Sequence, residues 1–471
     1  MRTISRHYID GAFVESHGRE VLRGINPANG QVLSEVVLGD EVDAQRAIAA
    51  AKRALPTFSQ TSKEERIDIL RRMHAATARR LDEHIEAMIE EYGGTRQFSS
   101  LIVGAAVQAF QQVEKALTEF ELIRKWGGTT VYHEPVGVAG LITPWNANAL
   151  FLCVKSASAI AAGCTIVAKP SELSAIQTEL LLECLHEAGI PQGVLNVVTG
   201  RGEVVGAELV RSPDVAKISF TGSAAVGQTI MRDGAATMKR VTLELGGKSP
   251  NILLDDVDLA KAIPDALIIA FLNSGQACAA GTRLLVPNSR LNEVKQAILA
   301  TIPHFPAGDP SNPATAVGPM VTARQYERVQ DYIRKGIEEG AELLVGGEGH
   351  PEGLEAGHYV KPTVFVNVRN DMTIAQEEIF GPVLCVIGYE DDEDAIHIAN
   401  DSRYGLHGFV SGADPERARR VGSRILAGRV AINGMKDDQQ APFGGFKYSG
   451  FGREFGTYGI EAFLEPRAIL E

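Results

Sequence analysis

Cysteine is scarce in this chain and never paired. The five cysteines (Cys153, Cys164, Cys184, Cys278 and Cys385) form no Cys-x-x-Cys motif, and their number is odd. A disulfide framework is therefore not expected, and a reducing cytoplasm is the natural home. The eleven histidines include no His-Glu-x-x-His and no finger-like spacing, so no metal is implied. No apolar run is long and clean enough to cross a membrane. The nearest, Ala149 to Ala168, is interrupted by Lys155, Ser156, Ser158 and Gly163, and reads as a buried helix followed by a buried strand. The first residues, Met1 to Tyr8, carry no apolar stretch of the signal-peptide kind. Repeats, low-complexity linkers and basic runs are all missing. Acidic residues outnumber basic ones by 59 to 46, which argues against a nucleic-acid or membrane partner. What remains is 471 residues, 45% hydrophobic and 22% charged, an ordinary globular composition with room for two or three domains.

A β-like start at His7–Val14 is followed by helical signals. Asp43–Leu55 has apolar residues at helical spacing, and Pro56 is expected to end it. Ser62-Lys63-Glu64-Glu65 has the form of a capping box and opens one long amphipathic helix, which stops at Gly93-Gly94. From about residue 137 short apolar runs alternate with helical stretches. Strands are expected at 137–143, 164–168, 194–198, 216–220 and 241–245, with helices near 175–188, 204–210 and 225–232 between them. This alternation predicts an α/β fold with a parallel, doubly wound sheet, in which ligands bind at the carboxyl ends of the strands. It restarts at Asn251–Leu254 with a helix over 259–272, which implies a second α/β unit.

Cys278 lies in Asn273-Ser274-Gly275-Gln276-Ala277-Cys278-Ala279-Ala280-Gly281, with nothing bulky beside the sulfur. A cysteine is often no more than a small buried hydrophobe. In so open a turn it is also able to attack a carbonyl. About thirty residues upstream, Glu244 stands in Leu243-Glu244-Leu245-Gly246-Gly247-Lys248, where it is either a loop residue or the base that activates a water. Phe220-Thr221-Gly222-Ser223-Ala224-Ala225-Val226-Gly227 is a glycine turn between strand and helix, suited to a pyrophosphate or simply a tight βα turn. Gly200-Arg201-Gly202 with Gly206 misses the dinucleotide fingerprint by one residue and reads as a turn. Lys169-Pro170-Ser171-Glu172 is either a surface turn with a helix cap or a ribose site, in which Lys169 can donate and Glu172 can accept while repelling a 2′-phosphate. Pro144-Trp145-Asn146 offers an amide to a developing oxyanion. Glu377-Glu378-Ile379-Phe380-Gly381-Pro382 offers a carboxylate and an aromatic face.

Together, and in this order, these motifs resemble the aldehyde dehydrogenase superfamily. The resemblance runs from Tyr8-Ile9-Asp10-Gly11 to Pro442-Phe443-Gly444-Gly445 and Gly452-Arg453-Glu454. It implies oxidation of an aldehyde to the carboxylic acid with NAD, NADP being the less favoured cofactor. Cys278 would be the nucleophile, Asn146 and the Cys278 backbone N–H the oxyanion donors, and Glu244 the base that deprotonates the hydrolytic water. Lys169 and Glu172 would hold the adenosine ribose and Ser223 the pyrophosphate, with Ser171 also in the cofactor site. Thr143, Pro144, Trp145, Phe220, Gly222, Val226, Leu245 and Gly246 would line the cofactor site, with Glu378 and Phe380 at the nicotinamide end. Presence of Glu244 argues for water rather than coenzyme A as acyl acceptor.

The resemblance further implies a Rossmann-type cofactor domain (1–120 and 136–247), a second α/β catalytic domain (248–446) and a small β oligomerisation element (121–135 and 447–471) that would make a homodimer or homotetramer. Positions often aromatic in relatives are small or aliphatic here: Ala147, Val154 and Leu272, with Phe443 remaining. That suggests a roomy apolar pocket for medium-chain aliphatic or aromatic aldehydes. The polar run Met435 to Gln440 keeps open a semialdehyde with a polar or carboxylate end. Two other readings predict different residues. A catalytically silent relative should lack Cys278, Glu244 or Asn146, and a thiol esterase or acyltransferase needs no cofactor motifs.

Overall fold

The computed structural model describes residues 1–470, so Glu471, the last residue of the expected oligomerisation segment, lies outside the described residues. Two large twisted sheets organise the chain. The first has eight strands in the order Gly450–Phe451, Arg240–Glu244, Lys217–Thr221, Val138–Ile142, Thr165–Lys169, Leu195–Val197, Arg6–Ile9 and Ala12–Glu15. Its five central strands are parallel. They are short runs of apolar and β-branched residues, buried throughout except at the start of Arg240–Glu244, as a sheet covered on both faces requires. The chain winds outward one way from Val138–Ile142 through Thr165–Lys169, then returns to lay Lys217–Thr221 on the other side. The strand order therefore reverses between Val138–Ile142 and Lys217–Thr221, and a crevice opens there at the carboxyl ends.

One face of this sheet carries the helices Lys63–Ala78, Arg96–Glu119 and Asn148–Ala162. The last is buried on nearly every side, and its small residues Ala157, Ser158, Ala159, Ala161 and Ala162 let its neighbours approach. Glu41–Phe58 packs on the opposite face. The second sheet has seven strands, ordered Glu342–Val345, Thr363–Val366, Val383–Tyr389, Arg283–Pro287, Pro250–Leu253, His407–Ser411 and Arg429–Ile432, all parallel but the first. Smaller sheets complete the fold. Arg2–Ile4, Val32–Val37 and Val21–Ile25 form one, and Leu464–Leu470 pairs antiparallel with Thr129–Pro135 beside Ile123–Trp126 in another. No helix among the described residues is long and apolar enough to cross a membrane.

Local expectations hold where local chemistry decides them. Ser62 and Glu65 form the reciprocal capping box, and Gly93 closes a helix in the left-handed conformation. Four differ. The start is a hairpin of Arg6–Ile9 with Ala12–Glu15. The first helix runs past Pro56 to Phe58, because the Ser59 N–H reaches back to Leu55 O and closes the last turn around the missing donor. The helix begun at Lys63 stops at Ala78, and a second, Leu81–Tyr92, follows. At the break Arg80 is tied to Glu83 and to Glu183 of a neighbouring helix. The segment near 204–210 starts as a wide π-turn over Gly202–Gly206 before Ala207–Arg211.

Candidate active site

Adjacent parallel strands deliver the motifs to one edge of the first sheet. Thr143, Pro144, Trp145 and Asn146 follow Val138–Ile142, Gly222 and Ser223 follow Lys217–Thr221, and Leu245 and Gly246 follow Arg240–Glu244. Ser223 caps the helix Ala224–Gly234, its hydroxyl accepting from Val226 N–H at 3.4 Å. Phe220 lies beneath, its ring so close to Gly222 that no side chain fits there. Lys169 ends the next strand, and its ammonium donates to Glu172 Oε2 at 3.1 Å, with Ser171 between them capping a short turn. Arg201 stands 3.7 Å from the other Glu172 oxygen. The Thr143 and Thr221 hydroxyls are buried without a hydrogen-bond partner, as expected of a cradle shaped for a polar ligand. Gly200 does not open a fingerprint loop; it forms a bridge with Gly39.

Cys278 sits on a backbone bent for the purpose. Asn273, Ser274 and Gly275 all have positive φ (53°, 57° and 75°), a run that only outside support sustains. Tyr92 Oη donates to Asn273 Oδ1 at 2.8 Å, and Asn273 Nδ2 donates to Asn146 O at 3.2 Å and Gln276 O at 3.0 Å. Gly318 N–H donates to Ser274 Oγ at 2.8 Å, and Val321 N–H to Gln276 Oε1 at 3.0 Å. Asn146 Nδ2 spends one of its hydrogens on Gln276 O at 3.0 Å, which leaves the other for an oxyanion. The loop is thus tied to Asn146 from both directions.

Burial pushes the Cys278 thiol up to about 12, and the Glu378 and Glu244 carboxylates add to the rise. The backbone N–H groups of Cys278 and Ala279 work against it. Those N–H groups stabilise negative charge at this sulfur or beside it. Glu244 is 2% exposed, and neither carboxylate oxygen has a partner. Burial, then the nearby Glu454, hold it well above the ordinary carboxylate value, against Lys155, Arg453 and Arg429. Glu454 is itself paired with buried Lys155, and Ser219 Oγ lies 2.9 Å from that ammonium and 3.1 Å from Glu454 Oε1. On the far side Gly444 approaches so closely that a Cβ there would fall 2.7 Å from Glu244 Oε1.

Glu378 accepts from Gly247 N–H at 3.0 Å, and burial raises its carboxyl to about 7. Phe380, at φ 64°, sets its ring edge-on to Trp145 at 5.5 Å between centroids. A cavity of about 260 Å3 joins Pro144, Trp145, Asn146, Gly222, Ser223, Glu244, Leu245, Gly246, Cys278, Glu378 and Phe380. It adjoins a cleft of about 1000 Å3, also walled by Trp145, Ser223 and Glu378. Two wall residues escaped sequence reasoning, Gln325 and Arg328 on the helix Ala323–Glu338. Gln325 Nε2 donates to Phe380 O at 2.8 Å and Arg328 to Glu378 O at 2.7 Å. Nothing in the local sequence marks them, since polar residues on an amphipathic helix read as a solvated face.

The other expected positions do not line this cavity. Val226 is 48% exposed on the capped helix, and Phe220 is buried below it. Ala147 and Val154 are 5% and 2% exposed, Val154 within the core under the first sheet. Leu272 packs, as Trp145 and Leu173 do, against the cluster that contains Tyr92 and Phe98. Phe443 stacks edge-on with Phe455 at 5.5 Å.

The sequence profile of the aldehyde dehydrogenase family matches residues 13–469. A 3-succinoylsemialdehyde-pyridine dehydrogenase from a Pseudomonas species is 44% identical over 472 residues, covering 100% of this chain and 99% of that protein. Aldehyde dehydrogenase C of Pseudomonas syringae, solved as a mutant with NAD+ and octanal, superposes with a TM-score of 0.97 at 43% identity, over 99% of this chain and 96% of that one. A Mycobacterium tuberculosis aldehyde dehydrogenase solved with NAD+ gives 0.97 at 39% identity, over 100% and 98%. This chain belongs to the aldehyde dehydrogenase family.

Proposed function

We propose that the protein oxidises an aldehyde to the carboxylic acid with NAD+ through a thioester on Cys278. The observation that carries this reading is the meeting of Cys278, Asn146 and Glu244 at one cavity beside a cleft walled by a capped helix N-terminus, with the Lys169–Glu172 pair at the end of a nearby strand of the same sheet. The unpartnered Thr143 and Thr221 hydroxyls fit a polar ligand such as a dinucleotide. Ser223 and the helix it caps would hold the pyrophosphate, Lys169 and Glu172 the adenosine ribose, and Glu378 the second ribose. When bound, NAD+ supplies the hydride acceptor.

The residues of the chain do the rest. Cys278 loses its thiol proton to solvent, Sγ bonds as thiolate to the aldehyde carbon, and the carbonyl π bond opens to place the charge on oxygen. The free Asn146 N–H and the Cys278 backbone N–H would hold that oxygen, whose electron pair re-forms the carbonyl as the hydride leaves for the acceptor that bound NAD+ would supply. Glu244 takes a proton from water as its oxygen attacks the thioester. The carbon–sulfur bond breaks, releasing acid and restoring Cys278. Residues 1–120 and 136–247 serve as the cofactor domain, 248–446 as the catalytic domain, and 121–135 with the C-terminal segment as the contact of a homo-oligomer. Five free cysteines suit a cytoplasmic setting.

For substrate, Ala147, Val154, Leu272 and Phe443 favour a medium-chain aliphatic or aromatic aldehyde, and the octanal complex of the 43%-identical relative supports it. A semialdehyde with a polar end is the second reading, motivated by the name of the 44%-identical relative and by the polar run 435–440. NADH formation across a series from acetaldehyde to octanal and benzaldehyde, with succinate semialdehyde added, is the test. Octanal or benzaldehyde should show the highest kcat/KM, and NAD+ should outperform NADP+. If folded protein forms no NADH from any aldehyde, the reading is wrong.

A further inference from the structure

Arg429 opens the last strand of the second sheet, far in sequence from Cys278 and outside every motif above. Its guanidinium is only 13% exposed and almost fully committed. Nε donates to Pro442 O at 2.8 Å, Nη1 to Asp437 Oδ1 at 2.8 Å, and Nη2 to Asp438 O at 2.8 Å and Ala441 O at 2.6 Å. All four bonds go to one six-residue segment, 437–442. The same group lies over the Phe443 ring at 5.1 Å and the Phe455 ring at 5.4 Å. A planar fork with five donors fits this task, and an ammonium does not.

The clamped segment leads straight into the site. Phe443 exchanges backbone hydrogen bonds with Glu454 (2.9 and 2.8 Å), the carboxylate that pairs with Lys155 behind Glu244. Gly444, the next residue, is the one lying against the Glu244 carboxyl. A second tether, Gln440 Nε2 to Gln112 Oε1 at 2.6 Å, fastens the segment to the helix Arg96–Glu119.

We propose that Arg429 is a positioning residue for the release of the acid: it folds 437–442 down so that Phe443 and Gly444 form a fixed wall behind Glu244. This rests on the reading of Glu244 as the hydrolytic base. Two effects follow, and they separate. The fork holds the wall, so its loss lets Glu244 and the acyl group drift. The charge favours ionised Glu244, acting beside Lys155 and Arg453 and against Glu454. His407, the strand neighbour of Arg429, is buried and held neutral, at about 4, by burial and then by this guanidinium, so it contributes no charge at working pH. Asp437 is the remaining ionisable partner.

The experiment compares Arg429→Lys and Arg429→Met in pre-steady-state NADH formation with octanal and in the pH profile of kcat. Both should keep the NADH burst while the steady rate falls by about tenfold or more, as displaced catalytic groups do. Arg429→Met should also move the midpoint of the kcat profile to higher pH, and Arg429→Lys, which keeps the charge, should leave it in place. Rates and midpoints within twofold of wild type in both variants would overturn the proposal. So would an equal fall in both, burst included, with no movement of the midpoint, which would mark a residue needed only for folding. Glu244→Gln in the same assay tells the two levels apart: if it turns over at the wild-type rate the base assignment fails, and if it stalls after the burst while Arg429→Met is silent, only the clamp fails.

Discussion

Replacing Gly275 by alanine tests how tightly the nucleophile loop is held. Gly275 lies three residues before Cys278 at φ 75°, and a Cβ there would overlap the carbonyl oxygen of Gly381. Gly381 directly follows Phe380 in the segment that carries Glu378. The backbones of the two loops, one bearing the thiol and one facing the cofactor cleft, therefore touch with no room for a methyl group. The left-handed conformation costs alanine about 1–2 kcal/mol. Relieving the overlap forces the loops apart by about 1 Å in an interior packed like a crystal. Overpacking of this kind adds about 1–3 kcal/mol to the stability loss. The catalytic penalty is larger, because an error of about 1 Å in the attacking group costs on the order of a hundredfold. Gly275→Ala should lower kcat/KM by that factor and slow alkylation of Cys278, while the far-UV spectrum stays unchanged. Gly275→Ala with kcat/KM within about twofold of wild type would refute the idea that the two loops fix each other.

Cys278→Ala should abolish turnover and keep NAD+ affinity, measured by calorimetry. Deacylation should speed up as pH rises, because buried Glu244 must lose a proton held well above the usual carboxylate range, and steady-state kcat between mildly acidic and alkaline pH reads this. Lys155→Met strands the Glu454 carboxylate with Ser219 as its remaining partner, at about 3–5 kcal/mol; adding Glu454→Gln should return most of the unfolding midpoint. Glu91 is 6% exposed and accepts from Ile176 N–H, Gln177 N–H and the Gln177 side chain, yet burial raises it from 4.5 to about 7. The folded state thus binds its proton more tightly than the unfolded state. The contribution of Glu91 to stability is full below pH 4.5 and is lost by about 3 kcal/mol as pH climbs through 7, and the difference in melting profile between wild type and Glu91→Gln isolates that slope.

The parts legible in the sequence are those written locally. Ser62 and Glu65 announce a cap because both partners lie within one turn, and five apolar runs separated by helical stretches become the five parallel strands of the first sheet. The crevice follows too, since the glycine turn at Gly222 and the Trp145-Asn146 pair close neighbouring strands. Distance in sequence is what hides the rest. The break at Arg79–Arg80 leans on Glu183, about a hundred residues away. Gln325 and Arg328 reach the cavity only because their helix docks under the Glu378 loop. The Tyr92–Asn273 bond joins two segments that no pattern connects.

At rest the chemical groups of this site are all biased toward their neutral forms. Burial raises the Cys278 thiol and the Glu244 and Glu378 carboxyls alike, and both carboxylates raise the thiol further. Such coupling is reciprocal: a thiolate at Cys278 must make Glu244 harder to ionise, just as ionised Glu244 opposes the thiolate. In the proposed mechanism, attack on the aldehyde removes the conflict. Once the sulfur is bonded to carbon it carries no charge, so an ionised Glu244 no longer opposes a thiolate, although burial and Glu454 still hold its proton. Glu244 therefore loses its proton more readily beside the thioester than beside a thiolate, at the step where the proposed mechanism requires a base for water. The two groups that would repel each other as simultaneous anions are needed in sequence, and the order of the chemistry follows from their shared burial.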